Sequence, residues 1–167
     1  QILNVNLSEA KITTLPTQPY AEKYLGGRGI AARIYRERVK PETGAFDPEN
    51  VLAFMAGPLV ATGAQAATQL SAAGKSPMTY PEGYCYGSMG GFVGAELKKA
   101  GFDGIIIEGR AEKPVYLWIH DGEAEIRDAS SLMGQNSFRT GEMLQQMHGD
   151  KTRFIVIGVS GEKLVRT

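Results

Sequence analysis

Apolar and polar positions fall into short runs of changing period along this chain. "ILNVNL" alternates near the N-terminus, and "KITTL" follows a Ser-Glu-Ala break, so a β-hairpin is predicted, ended by Pro16 and Pro19. Over residues 20–39 the spacing turns helical, with Ile30 and Ile34 one turn apart and Ala31 matched to Tyr35. "LGGRG" interrupts it, which predicts two short helices joined by a glycine hinge. "VLAFMA", closed by Gly57-Pro58, reads as a buried strand and "QLSAAG" as another. "PETGAFDPEN" and "ATGAQAAT" are loops by composition, and the prolines and glycines of "KSPMTYPEGYCYG" predict irregular chain.

Residues 92–100 predict a helix, with Val93 and Leu97 on one side and Lys98 and Lys99 at the end where cations suit the dipole. Gly101 is placed to cap it. "GIIIEG", "VYLWIH" and "AEIRDA" read as strands, the last two joined in a hairpin at Asp121-Gly122. A helix over residues 136–147 follows, although Gly141 weakens it, and "RFIVIG" is expected as a final buried strand. This order of elements predicts an α+β fold, mixed β-sheets with flanking helices.

Composition narrows the function. The 167 residues suffice for one domain with a real core. Eighteen basic residues balance eighteen acidic ones, so a nucleic-acid footprint or a polybasic membrane patch is not expected. The local excess at Arg28, Arg33, Arg36, Arg38 and Lys40 reads as a solvated helix face. One cysteine, Cys85, excludes an internal disulfide and any metal or iron–sulfur site built from several thiolates of this chain. That suits a reducing compartment, and a cytoplasmic setting with no membrane span is the expectation. A chain opening at Gln1 and closing on "EKLVRT" in mid-pattern reads as a piece of a longer polypeptide, residues 1–167 being its single N-terminal domain.

The chemistry candidates are few. In "GSMGGFVGAELKK" a glycine cluster precedes a helix, where unpaired N–H groups attract anions and bare Gly87, Gly90 and Gly91 would admit a phosphate. Its G-x-x-G-G-x-x-G spacing is neither the dinucleotide fingerprint nor the P-loop, and a tight turn with close packing at Gly94 is the competing reading. "GVSGEK" reads as an ordinary turn. His120 and His148 sit at element ends as structural positions, Cys85 reads as a packed thiol, and no Ser/His/Asp or paired-carboxylate set emerges.

Longer segments carry a resemblance. "YLGGRGIAARIYRE", "PENVLAFMAGPL", "KSPMT", "GGFVGAELKKAGFDGIIIEGRAEKPVYLWI", "AEIRDASSLMG" and "IGVSGEKLVR", in this order, resemble the N-terminal domain of the tungsten-containing aldehyde ferredoxin oxidoreductases over nearly the whole chain. The resemblance implies a base of β-sheets carrying one face of a tungsten bis-pterin cofactor. Later domains would supply most of the pocket and the cysteines of a 4Fe-4S cluster. It implies oxidation of an aldehyde to its acid with ferredoxin as electron acceptor, and an isolated domain without activity. A family Asn-x-Gly-Gly turn against the pterin phosphates falls here on Ser88, Met89, Gly90 and Gly91. The Ser88 backbone carbonyl would then serve a bridging Mg2+. A family arginine that reaches the cofactor falls on Gln69, which can donate a hydrogen bond but has neither charge nor fork. That departure keeps open a paralogue acting on aromatic acids, thioesters or another carbonyl, and a non-catalytic binding module. Expected partners are ferredoxin and the downstream domains, with a homodimer left open.

Overall fold

The computed structural model describes residues 1–166; Thr167, the last residue of the expected span, lies outside the described residues. Six strands form one mixed sheet. In chain order these are β1 (Ile2–Asn6), β2 (Lys11–Leu15), β3 (Leu52–Ala56), β4 (Leu70–Ser76), β5 (Gly83–Met89) and β6 (Gly104–Glu108). Their spatial order is β2-β1-β6-β3-β4-β5, with β1 and β6 parallel and every other neighbour antiparallel.

The period-2 rule sorts side chains onto two faces. Ile2, Ala53, Met55, Ala73 and Ile106 point to one, where Ile30, Ala31 and Ile34 of helix α2 (Gly27–Arg38) cover them. Helix α1 (Gln18–Tyr24) leads into α2, and its Tyr20 and Tyr24 pack on the rim of this cluster. Leu3, Val5, Leu70 and Ile105 point to the other face. There they meet Leu97 of helix α3 (Val93–Lys99), Val60 and Phe102. A two-stranded hairpin of β7 (Val115–His120) and β8 (Glu123–Asp128) lays Leu117, Ile119, Ala124 and Ile126 against the same cluster. Central β6 is thus roofed on both sides, which is why its isoleucines run without a polar break. Gly104, where it starts, faces β3 so closely that a Cβ would run into the Met55 sulfur and lie 2.6 Å from the Phe54 carbonyl.

Helix α4 (Ser137–His148) completes a smaller third cluster with Ala129, Leu132 and Leu144. The Asn136 side chain caps it, accepting from the Arg139 N–H at 2.9 Å. Gly141, the weak point in its pattern, is where the Phe154 ring crosses; a Cβ there would collide with that ring.

Three expectations are corrected. "RFIVIG" is not a buried strand: residues 152–158 have no regular structure, and Ile155 and Ile157 are exposed. Apolar content alone does not make a strand, and among the described residues no neighbour offers this segment a ladder. "KSPMTYPEGYCYG" is not irregular throughout. From Gly83 it is β5, paired with β4 over seven residues at the sheet edge. An edge strand open on one side needs no apolar alternation, so its pattern concealed it. "GVSGEK" forms a one-turn helix, α5 (Val159–Glu162), instead of a plain turn.

Candidate functional site

β4 and β5 run side by side from Ser76↔Gly83 to Leu70↔Met89. This register brings the candidate residues to one end of the sheet. Ser88 pairs with Ser71, and one step beyond the last pair lie Gln69 and Gly90. Gln69, Ser88, Gly90 and Gly91 are all exposed there. Met89 differs: its half-buried side chain packs with Leu70 in the core, leaving only its main chain to face outward.

The glycine cluster splits into two uses. Gly94 is buried, and a Cβ on it would sit 3.4 Å from the Thr68 carbonyl and 3.5 Å from Leu70 and Val60. That glycine lets α3 lie on the sheet. At Gly87, Gly90 and Gly91 a Cβ would meet nothing within 4 Å, so packing does not account for them. Gly91 has φ +88°, a conformation that disfavours other residues. Among the described residues, Gly90 and Gly91 make no turn or loop backbone hydrogen bond and receive no side-chain bond. Helix α3 spans only seven residues, so this bare main chain, more than a helix dipole, distinguishes the place.

The second wall comes from the start of α2. Gly27, with φ +48°, lies beside Ser71, whose hydroxyl would be 3.6 Å from a Cβ at that position. Tyr84 and Tyr86 share the α2 face with Ser88 by strand alternation. Tyr84 packs on Tyr35 in a tilted contact with centroids 5.0 Å apart, and Tyr86 stacks on Tyr84 at 6.4 Å. Burial raises the Tyr84 hydroxyl above the usual phenol range, against the opposing field of Arg28. The Arg28 guanidinium lies over the Tyr86 ring, 4.5 Å from its centroid.

Charge sets the chemistry of this end. Residues 25–36, 57–75 and 83–95 meet around it and contain no aspartate or glutamate, although the chain has eighteen. Open main-chain groups, serine hydroxyls and an absence of carboxylates suit an anionic ligand. Lys75 is no part of this face's free charge. It is buried, and its ammonium donates to the Pro41 carbonyl at 2.7 Å, holding the loop before β3.

Other candidates resolve differently. Cys85 is exposed on β5 and is not a packed thiol. His148 lies flat on Trp118, centroids 3.9 Å apart, with its Nε2 3.0 Å from the Tyr116 hydroxyl. His120, Glu123 and Glu125 bring their ligand atoms within 4.8 Å of one another at the hairpin tip. Glu125 there is bonded to Arg127 at 2.8 Å, and that bond, with one from His120, holds its carboxyl below the usual range. Arg28 is exposed on α2, in line with a solvated helix face, but the sequence did not show that its guanidinium lies on Tyr86. The available signal was its position directly after two glycines at a helix start, in a segment free of acids.

Comparison with known proteins covers the whole fold. The profile of the family described as aldehyde ferredoxin oxidoreductase, N-terminal domain, matches residues 2–167. A tungsten-containing aldehyde ferredoxin oxidoreductase of Pyrococcus abyssi is 42% identical over 99% of this chain, which covers 27% of that protein. An aliphatic sulfonate oxidoreductase, WOR-like subunit, of Pyrococcus furiosus is 32% identical over 99% of the chain and 29% of its own length. Among solved structures, the active-site complex BamBC of benzoyl coenzyme A reductase, in complex with 1,5-dienoyl-CoA, superposes with a TM-score of 0.91. It is 37% identical, covering 96% of this chain and 25% of that one. The chain therefore spans about a quarter of the length of the proteins it matches.

Proposed function

Because the chain belongs to the aldehyde ferredoxin oxidoreductase N-terminal domain family, we propose that it cradles the cofactor of a tungsten or molybdenum bis-pterin oxidoreductase. The full protein would oxidise aldehydes to carboxylic acids. The observation that carries this reading is the open, acid-free main chain at the β4–β5 end, which matches the anionic tails of such a cofactor. When bound, the metal and its dithiolenes supply the redox chemistry. The chain's own residues bind and orient. Gly90 and Gly91 let phosphate oxygens approach the backbone without a Cβ between them. The Ser88 carbonyl would supply an oxygen ligand to Mg2+, a hard cation suited to oxygen donors. Gln69, one residue before β4, would donate its side-chain amide N–H, and Met89 anchors the turn in the core.

Downstream domains of the same polypeptide would carry the 4Fe-4S cluster, most of the substrate pocket and the ferredoxin surface. The isolated domain is then inactive, because it holds one wall of the site. Conversion of an aldehyde and water to the acid would release two electrons and two protons, and ferredoxin would be the final acceptor of the electrons. A second reading keeps the cradle and changes the substrate to an aromatic thioester or another carbonyl. It is supported by the likeness to the benzoyl coenzyme A reductase complex and by the uncharged Gln69.

The full-length protein, produced with tungstate or molybdate, decides between them. Stoichiometric metal and pterin with aldehyde-dependent reduction of ferredoxin is the expected result. Loaded protein that does not reduce ferredoxin when given aldehyde, and instead turns over an aromatic thioester when supplied with a low-potential electron donor, moves the assignment to the second reading. Folded protein that takes up neither metal nor pterin makes it a non-catalytic binding module.

A further inference from the structure

We propose that Arg28 is an anion-binding residue of this seat, its guanidinium laid on Tyr86 so that its N–H edge can fork the phosphate oxygens of the cofactor tail. The inference rests on the cofactor reading above and adds a residue to it. Most arginines of the chain are already engaged: Arg33 with Glu37, Arg38 with Glu108, Arg127 with Glu125, Arg139 with Glu142 and Arg166 with Glu82. Arg28 is exposed and has neither an ion pair nor a hydrogen bond among the described residues. Arg36 is similarly unpaired, but it lies roughly two turns along the helix and has no aromatic seat.

The stack makes Arg28 more than a loose surface charge. Tyr35, Tyr84 and Tyr86 form a ladder whose last ring carries the guanidinium. Stacking covers one planar face and leaves the donor edge free, the arrangement in which arginine binds phosphate with two parallel bonds. Its place is also fixed by register. Tyr86 and Ser88 lie on the same face of β5, Ser88 pairs with Ser71, and Gly27 packs beside Ser71.

A charge balance completes the argument. Gln69 brings no charge, and the one cation of residues 57–75 and 83–95, Lys75, is buried and used by the Pro41 carbonyl. The other guanidinium at this end, that of Arg153, lies 5.5 Å from the Phe92 ring and already donates to the Asp150 and Thr152 carbonyls, which leaves Arg28 as the cation here with uncommitted donors among the described residues. A phosphate desolvated there without a counter-charge would be bound weakly.

The test uses full-length protein produced with tungstate, with tungsten and pterin measured per polypeptide after gel filtration at low and high salt. Arg28→Glu places an acid in the first helical turn, which suits the helix dipole, yet it repels phosphate. It is expected to lose cofactor by about tenfold or more, the scale of a charge-assisted hydrogen bond. Arg28→Lys keeps a point charge without the fork and should retain cofactor at low salt and shed it at high salt. Arg36→Glu should match wild type. Wild-type retention in Arg28→Glu overturns the inference and leaves the cofactor reading standing. Should Arg28→Glu fail to fold, wild-type retention by Arg28→Lys at both salt levels overturns it equally. Wild-type protein empty of tungsten and pterin sinks the cofactor reading and this inference with it.

Discussion

Strands β1, β6 and β3 and strands β4 and β5 belong to one sheet but are built from different materials. The first group carries Ile2, Leu3, Val5, Met55 and Ile106, all nearly or fully buried, under α2 on one face and α3 with the hairpin on the other. The second group narrows to alanine, serine and glycine in β4, and β5 leaves five of its seven residues exposed. The bulky half holds the fold together by area removed from water. The sparse half contributes little core, yet it is ordered by seven register pairs and by the tyrosine ladder. A surface kept open and ordered together is what a ligand requires, since the ordering is complete before binding.

The sharpest way to break this contrast is a core truncation. Ile106→Ala should destabilise by about 3 kcal/mol in equilibrium urea denaturation, because the site is fully buried and roofed on both sides. A loss well under 1 kcal/mol would mean the central strand is less tightly packed than described. A matched glycine pair is next. Gly104→Ala forces a methyl against Met55 and Phe54 and should lose roughly 2 kcal/mol. Gly90→Ala, with open space around it, should stay within about 0.5 kcal/mol of wild type. Equal effects from the two would erase the difference between the sheet's halves. Lys75→Met, which removes the charged donor from the Pro41 carbonyl, should destabilise by about 1.5 kcal/mol. Wild-type stability would show that this bond contributes nothing net.

The smallest effect is in pH. Burial first, and then the field of Arg127, hold the His148 imidazole below the usual histidine range. The unfolded chain therefore binds the proton more readily than the folded one. Stability from this group is complete above the unfolded value of about 6.5 and declines as pH falls through it toward the lower folded value. Melting curves across that window should show the decline, and His148→Phe, which keeps a ring on Trp118, should flatten it.

The sequence made much of this legible, for identifiable reasons. Alternation at residues 2–15, the Asp121-Gly122 turn and the triple isoleucine each carry their structure locally. The α+β class followed from the order of elements, and the glycine cluster marked the β4–β5 end because open glycines have no local purpose there. β5 was hidden because its order comes from pairing with β4 and not from its own pattern. Residues 153–158 misled in the opposite direction: their composition suits a strand, but pairing is a property of the neighbour. The setting of Arg28 was out of reach, since its contact with Tyr86 joins residues 58 positions apart.

Trp118 is the only indole in the chain, and it lies flat against His148 at the end of α4. Its ultraviolet emission is thus a single-site reporter of contact between the hairpin and that helix. Protonated imidazole quenches indole, so the light from this one ring should dim as His148 takes up a proton. Detachment of the helix would brighten it at low pH, giving an optical record of this junction without any added dye.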